Sequence, residues 1–248
     1  MPTSVLVTRP ADQASDLIRA LTLAGYRAIP CPMLAIESLP ETAEMRQCII
    51  DLDLYDLVIV TSVNAAKPAL KLMDKYWPQW PAHLDWLAVG SATAKVLFEV
   101  GLNTILPKVG SSSEHLLELP NLTDVADQRI LILKGVGGRT LLAETLVERG
   151  ARVDVLELYQ RRPLTYSSTE LSALFAGGAP DVLLATSESV LAAIEQNLSL
   201  VLDDLWGLPL IVFSERIAGT ARDHGFKQVI VVEDVSDRSI LAALNVLS

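Results

Sequence analysis

Shifted against itself by about half its length, this 248-residue chain falls into register in four places, and that duplication constrains its fold more than any other feature. Val5-Leu6-Val7-Thr8-Arg9 matches Ile130-Leu131-Ile132-Leu133-Lys134 at a shift of 125. Both are apolar runs ending in a basic residue, and 20 positions after each first residue stands a glycine, Gly25 and Gly150. Asp56 through Thr61-Ser62 matches Asp181 through Thr186-Ser187 at the same shift of 125. Gly90-Ser91-Ala92-Thr93-Ala94, running on to Gly101, matches Ser214-Glu215-Arg216-Ile217-Ala218, running on to Gly225, at a shift of 124. Ala28 to Leu34 matches Val153 to Tyr159 at 125. Any one match could be an accident within a single large domain. A common offset in all four favours two copies of one α/β half-unit, hence two lobes of about 125 residues.

Each copy opens on a strand that is apolar at nearly every position, as expected where helices cover a parallel strand on both faces. Ala14, Leu17, Ile18, Leu21 and Ala24 follow at helical spacing with Gly25 as the stop, and Leu141, Leu142, Thr145, Leu146 and Gly150 repeat the pattern. Strand, helix, glycine, strand is the grammar of a βαβ unit. Farther on, 55–62 and 179–187 read as strands feeding helices at 65–73 and 190–197. Segments 84–89 and 208–213 read as strands entering helices at 93–100 and 217–224, with short final strands at 104–107 and 228–232. Helices are also expected at 113–119 and 237–247. The proline-marked stretches 30–37 and 155–163 occupy equivalent places in the two copies and are the expected connections between lobes. The fold class is therefore α/β, with two similar lobes, each a parallel sheet flanked by helices.

Composition narrows the function. Half the residues are apolar and a fifth are charged, which is ordinary for a globular chain. The formal net charge is −10 and the 20 basic residues form no long run, which argues against a nucleic-acid or anionic-membrane partner. The opening Met-Pro-Thr-Ser-Val-Leu-Val-Thr-Arg-Pro has no basic leader region and reads as a first strand. No uncharged apolar stretch approaches the length of a membrane span. Cys31 and Cys48 are the only cysteines, so a reduced cytoplasm is expected and a disulfide is not.

Conventional catalytic clusters are scarce. His83, His115 and His224 lie far apart without metal-ligand spacing, so no metal site is expected, and His224 before Gly225 reads as a helix-end residue. Lys134-Gly135-Val136-Gly137-Gly138-Arg139 follows a strand and opens a helix. It suits either a backbone N–H cradle for a phosphate or carboxylate or simply a tight βα turn, and it fits neither the dinucleotide fingerprint nor the Walker pattern. Four hydroxyl-bearing turns recur at the C-terminal ends of predicted strands: Thr61-Ser62-Val63-Asn64, Gly90-Ser91-Ala92-Thr93, Thr186-Ser187-Glu188-Ser189 and Ser214-Glu215-Arg216. Any one of them suits helix capping equally well. Four together, on two lobes facing a shared cleft, favour a polar ligand with several acceptor groups.

The opening Val-Leu-Val-Thr-Arg-Pro, Val60-Thr61-Ser62-Val63-Asn64-Ala65, Ala88 through Ala94, Ile132 through Arg139, and Leu158-Tyr159-Gln160-Arg161-Arg162 together resemble the uroporphyrinogen-III synthase family, in the same order and over nearly the whole chain. The resemblance implies two α/β lobes joined by a two-stranded ladder. Residues 1–34 with 163–248 would form one lobe and 38–158 the other, connected through 31–37 and 155–163. It also implies the activity: cofactor-free cyclisation of the linear tetrapyrrole hydroxymethylbilane to uroporphyrinogen III, with inversion of the last pyrrole ring and loss of water. One departure stands out, Ile217 where the first copy has Thr93 and where the family often carries a hydroxyl.

The implied substrate bears carboxylates on every ring while the chain is acidic, so local donors must dominate binding. Arg9, Thr61, Ser62, Asn64, Ser91, Thr93, Lys134, Gly135, Ser187 and Ser214 are the expected substrate contacts, with Arg139 and Arg161 as further cations. Catalysis would come from holding the chain curled in a closing cleft. Tyr159, at a family tyrosine position in a connecting strand outside either core, is the candidate catalytic group, because a phenol with pKa of roughly 10 can donate a proton to departing hydroxide. The other reading is a tyrosine packed between lobes with its hydroxyl satisfied. A cytoplasmic monomer acting on a small molecule is expected, and a cytosolic two-lobed ligand-binding or sensing module without catalysis is the competing function class.

Overall fold

The computed structural model describes residues 2–110, 112–232, 234 and 236–247. Along the chain run β1 (Ser4–Val7), α1 (Ser15–Leu23), β2 (Arg27–Pro30), β3 (Leu34–Ser38), α2 (Ala43–Ile50), β4 (Leu57–Val60), α3 (Val63–Tyr76), β5 (Asp85–Ala88), α4 (Ser91–Phe98), β6 (Thr104–Ile105) and α5 (Ser113–Leu117). There follow β7 (Arg129–Gly135), α6 (Leu141–Glu148), β8 (Arg152–Pro163), α7 (Ser168–Leu174), β9 (Val182–Ala185), α8 (Glu188–Leu198), β10 (Leu210–Val212), α9 (Glu215–Asp223), β11 (Val229–Val231) and α10 (Asp237–Leu247). Nearly all coincide with segments expected from periodicity. The exceptions are α2, which buries only Met45 and Ile49 and is started by Thr42, whose side chain accepts the Met45 N–H, and α7, which buries only Leu171 and is started by a capping box of Ser167 and Glu170. So sparse an apolar face leaves little periodicity to read.

The chain divides into two compact units, Met1–Ala35 with Arg162–Ser248, and Ile36–Arg161. The first holds a five-stranded sheet ordered β11-β10-β9-β1-β2, parallel throughout. The second holds a six-stranded sheet ordered β3-β8-β7-β4-β5-β6, in which β8 through β6 are parallel. Apart from β3 the two orders are the same: β7 stands in the second sheet where β1 stands in the first, β8 where β2, and β4, β5 and β6 where β9, β10 and β11. A unit is nevertheless not a copy. The first unit combines β1 and β2 of the leading copy with β9 to β11 of the trailing one, and the second combines β4 to β6 of the leading copy with β7 and β8 of the trailing one.

The strands that carry the chain across this exchange differ between copies. Residues 152–163 form the single strand β8, whereas the equivalent 27–38 breaks into β2 and β3. Pro30 and Pro32 stand where the trailing copy has Val155 and Glu157, and a proline has no N–H to continue a ladder. The stretches expected as connecting strands are sheet strands over much of their length, and β3 and β8 are hydrogen-bonded neighbours at the edge of the second sheet.

Alternate residues of the central strands feed opposite faces. In the first unit Leu6, Leu183 and Val212 pack with α7, α8 and α9, while Val5, Val7, Leu184 and Ile211 pack with α1 and α10. In the second, Val58, Val60, Leu131 and Leu133 pack with α2, α3 and α4, while Leu57, Ile59, Ile130 and Ile132 pack with α5 and α6. Burial on both faces explains why β1, β4 and β9 are apolar at almost every position. Gly25 and Gly150 end α1 and α6 at φ +86° and +89°, a conformation that admits glycine far more readily than other residues. Cys31 and Cys48 are free thiols, and burial pushes that of Cys31 up to about 11.

Because β1 pairs with both β2 and β9, the trailing part of the first unit lacks its central strand and the α1 face when taken alone. A fragment of residues 37–160 is expected to fold, and one of residues 163–248 is not. The missing contacts amount to a large share of the roughly 5–15 kcal/mol that holds a domain together. Supplying residues 1–36 through a flexible linker after residue 248 is expected to restore folding. Amide-proton dispersion of the three polypeptides checks this, and cooperative folding of 163–248 alone would contradict it.

Candidate active site

In the second unit the chain leaves adjacent strands β4 and β7 in opposite directions. From β4 it passes through α3 on one face toward β5, and from β7 through α6 on the other face toward β8. Divergence of this kind leaves a crevice at the C-terminal edge of a parallel sheet, the place where open α/β sheets bind ligands. A pocket of about 420 Å³ lies there. Its walls are Thr61 and Ser62 beyond β4, the turn 134–140 beyond β7, and the alternate β8 residues Val155, Glu157, Tyr159 and Arg161. Ile132, Leu142 and Val155 give it an apolar surface.

The position of Tyr159 follows from a slip in the ladder. Lys134 pairs with Glu157, but the next residue, Gly135, pairs with Tyr159, so β8 gains a residue at this point. The Tyr159 ring lies directly on Gly135, where a Cβ would come within 2.5 Å of the ring Cζ. Tyr159 is only 4% exposed and belongs to the core with Val60, Leu133 and Leu158. This corrects the expectation that it stands outside either core: the bulge and the missing side chain of Gly135 make room for the ring within the packed face, while its edge still reaches the pocket. The phenol oxygen is 3.1 Å from Ser62 Oγ, and Arg161 Nη2 donates to it at 3.4 Å. Ser62 in turn caps α3, its Oγ accepting the Ala65 N–H at 3.2 Å. Thr61 Oγ1 donates to the Leu133 carbonyl at 3.0 Å, tying the end of β4 to β7.

Positive charge gathers on the glycine-rich turn. Lys134 Nζ donates to the Arg139 carbonyl at 3.4 Å, and Arg139 pairs with Glu114 of α5. The Glu114 carboxyl is held below its ordinary range by hydrogen bonds from its own backbone N–H and from Ser112, with the Arg139 charge adding to them. The Gly137 N–H donates to Glu157 Oε1 at 3.1 Å, so an amide of this turn already engages a carboxylate. An apolar surface, cations, a backbone amide turned to a carboxylate and one phenol suit an aromatic ring that carries carboxylates.

The other expected contacts lie elsewhere. Asn64 sits in the first turn of α3 and Ser91 is exposed at the start of α4, both beyond the pocket wall. Gly90 caps α4 without any side-chain bond, and Thr93, in the third helical position, is 4% exposed. In the first unit Arg9 follows β1 and bonds Asp237 at 2.9 Å. Ser187 and Ser214 cap α8 and α9, accepting the N–H groups of Val190 and Ile217 at 3.3 Å. Ile217 takes the same third helical position as Thr93 and is also 4% exposed, so the departure from a hydroxyl there falls on an inward-turned position. His224 closes α9 with Nδ1 2.9 Å from Glu195 Oε1.

Sequence reading passed over Glu157 and Glu114. Glu157 had a usable signal, the period-two spacing of Val155, Glu157, Tyr159 and Arg161, visible once 155–163 is treated as a sheet strand. Glu114 had none, because only the tertiary packing of α5 brings it to Arg139.

The family model described as uroporphyrinogen-III synthase HemD matches residues 15–242. Uroporphyrinogen-III synthase of Escherichia coli K12 is 32% identical over 247 residues, covering 97% of this chain and 99% of that one. The Salmonella typhimurium LT2 protein of the same name is 32% identical over 244 residues with the same coverage, 97% and 99%. A mutant uroporphyrinogen III synthase from Thermus thermophilus shares the fold at a TM-score of 0.65 and 20% identity, covering 98% of this chain and 97% of that one. The Helicobacter pylori 26695 synthetase does so at 0.65 and 16%, over all of both chains. With the family model spanning most of its length and relatives matched end to end, the chain belongs to the uroporphyrinogen-III synthase family.

Proposed function

We propose that this chain, as a uroporphyrinogen-III synthase, converts hydroxymethylbilane to uroporphyrinogen III with its second-unit pocket around the reacting end of the substrate and Tyr159 as proton donor. The observation that carries the residue assignment is a phenol at the wall of a partly apolar, cation-edged pocket at the switch point of the sheet. The chemistry is redox-neutral. A pyrrole nitrogen pushes its electron pair toward the terminal carbon, the C–O bond breaks with its pair on oxygen, and the Tyr159 proton converts the departing hydroxide to water. The substituted carbon of the last ring then attacks, a spiro intermediate forms, fragments and recloses, and the carbon making the final bond releases the proton that restores the phenol. Shape decides the product, because unaided closure proceeds without inversion of the last ring.

With a net charge of −10, the chain attracts a polycarboxylate through local donors and not through its overall field. Thr61, Ser62, Lys134 and Gly135 line the pocket; Thr61, Lys134 and Gly135 are the proposed direct contacts there, and Ser62 is proposed to reach the substrate through the Tyr159 hydroxyl it bonds. Arg9 and Ser187 follow the matching strands β1 and β9 of the first unit, and Asn64, Ser91, Thr93 and Ser214 complete the proposed set. A monomer in the cytoplasm, with a small molecule and no nucleic acid or membrane as partner, belongs to the same proposal. The lack of any basic run in the sequence supports the part of it that excludes nucleic acid, and among the described residues no helix is long and apolar enough to cross a membrane. End-to-end identity with named synthases disfavours a sensing module without catalysis. Adding the protein to freshly generated hydroxymethylbilane and resolving type III from type I uroporphyrinogen tests the activity directly.

Two substitutions test the assignment of residues. Tyr159→Phe is expected to keep the melting temperature and lower the rate by up to about 100-fold, the low end for general acid catalysis, because water or a substrate carboxylate can replace the phenol in part. Full activity in that variant would remove Tyr159 from the chemistry. Gly135→Ala places a methyl group inside the Tyr159 ring and is expected to cost about 1–3 kcal/mol of stability as overpacking. Displacing the ring is also expected to lower the activity of the folded fraction at least as far as Tyr159→Phe. A melt and a rate measured on the same sample separate the two effects.

A further inference from the structure

We propose that Ser62 is a positioning residue, whose hydroxyl donates to Tyr159 Oη and so leaves the phenol proton free to point into the pocket. The inference rests on the reading of Tyr159 as proton donor. Around the phenol oxygen stand Ser62 Oγ at 3.1 Å and Arg161 Nη2 at 3.4 Å. A guanidinium can only donate, so within this group Ser62 alone could take the phenol proton and hold it away from substrate. Its hydroxyl is biased against doing so. Oγ already accepts the Ala65 N–H at 3.2 Å, and an oxygen that accepts a bond at a helix N-terminus becomes the better donor through its own O–H. With Ser62 and Arg161 both donating, the phenol oxygen is filled on the protein side and its proton turns to the open side.

The duplication provides an internal comparison. Ser187, at the place of Ser62 in the other unit, also caps its helix, but its hydroxyl lies 2.9 Å from Ser189 Oγ. The residues 125 positions before Tyr159 and Gly135 are Leu34 and Pro10. Capping by a serine therefore needs no tyrosine beside it, and of these two matching caps the one in the second unit is joined to a phenol resting on glycine. The Ser62 proton stays on Ser62 throughout. The phenol proton passes to the departing oxygen and returns when the ring closes, so the balance of the reaction is unchanged.

Ser62→Gly removes the hydroxyl while keeping a residue suited to a cap, as Gly90 shows at α4. It is expected to lower kcat by about 10-fold with KM changed by less than about twofold, and Ser62→Thr to restore kcat, as loss of orientation without loss of binding requires. In a Tyr159→Phe background Ser62→Gly is expected to cause no further loss, since residues acting through one group are not additive. Thr42→Ala, which removes the α2 cap, calibrates the effect of a lost cap on the melting temperature with kcat unaffected. Unchanged kcat in Ser62→Gly, or a loss accounted for by unfolded protein, would overturn the proposal. Losses that multiply with those of Tyr159→Phe would also overturn it, assigning Ser62 a contact of its own while leaving Tyr159 in place. A fully active Tyr159→Phe would instead bring down the reading on which the proposal stands.

Discussion

Each sheet is held at its centre by a pairing between strands far apart in the chain. In the first unit β1 lies against β9, with the Ser4 N–H on Asp181 at 2.7 Å and the Thr8 hydroxyl on the Leu184 carbonyl at 2.7 Å. Those partners are more than 170 residues apart, so much of the closure entropy of the chain is committed to this one ladder. The reward is a strand buried on both faces, against α1 and α10 on one side and α7, α8 and α9 on the other. In the second unit β7 lies against β4, and the same two-sided burial follows. Helix packing, the exchange of halves between copies and the location of the pocket all depend on which strand fills this central place.

The pocket is a by-product of that arrangement. Where β7 enters beside β4, the two following helices must part to opposite faces, and the gap at their starts is edged by helix N-termini and by the glycine-rich turn. One slipped residue in the β7–β8 ladder then decides what fills it. With any side chain at 135 the tyrosine ring would have no room, and without the slip Tyr159 would not face Gly135 at all. An aromatic hydroxyl is thereby held by the packed core and not by a mobile loop, so its orientation is fixed before any ligand enters the pocket.

The two units show how a duplicated scaffold comes to differ in chemistry while keeping its topology. Strand order, helix caps and the glycines that end helices are shared, because they meet the same backbone requirements in both. The residues at the switch point are not. Proline, leucine and a serine pair stand in the first unit where glycine, tyrosine and a serine–tyrosine pair stand in the second. Prolines 30 and 32 also break the strand that remains whole in the other copy, so even the segments that cross between units have diverged.

Strand and helix identity was legible in the residues because it depends on local periodicity and on burial of both strand faces. Gly25, Gly101, Gly150 and Gly225 were legible as helix ends because a positive φ favours glycine at each. The sequence also carried Thr61-Ser62, the 134–139 turn and Tyr159 as candidates, since hydroxyl turns recur at four strand ends, the glycine-rich turn opens a helix, and the tyrosine falls at a family tyrosine position. It did not carry α2 or α7, short helices that bury only Met45 and Ile49 in the one and Leu171 in the other. Nor did it carry the burial of Tyr159, the pairing of its hydroxyl with Ser62, or the role of Glu157 in taking the Gly137 amide. Those depend on a one-residue slip between β7 and β8 and on side chains 20 to 97 residues apart meeting at one sheet edge. By itself the sequence determined most of the strands and the longer helices and that they form two matching sets. Only the tertiary structure decided which side chains share a pocket, because that is set by ladder register and by helices parting at the switch point, neither of which has a local signature.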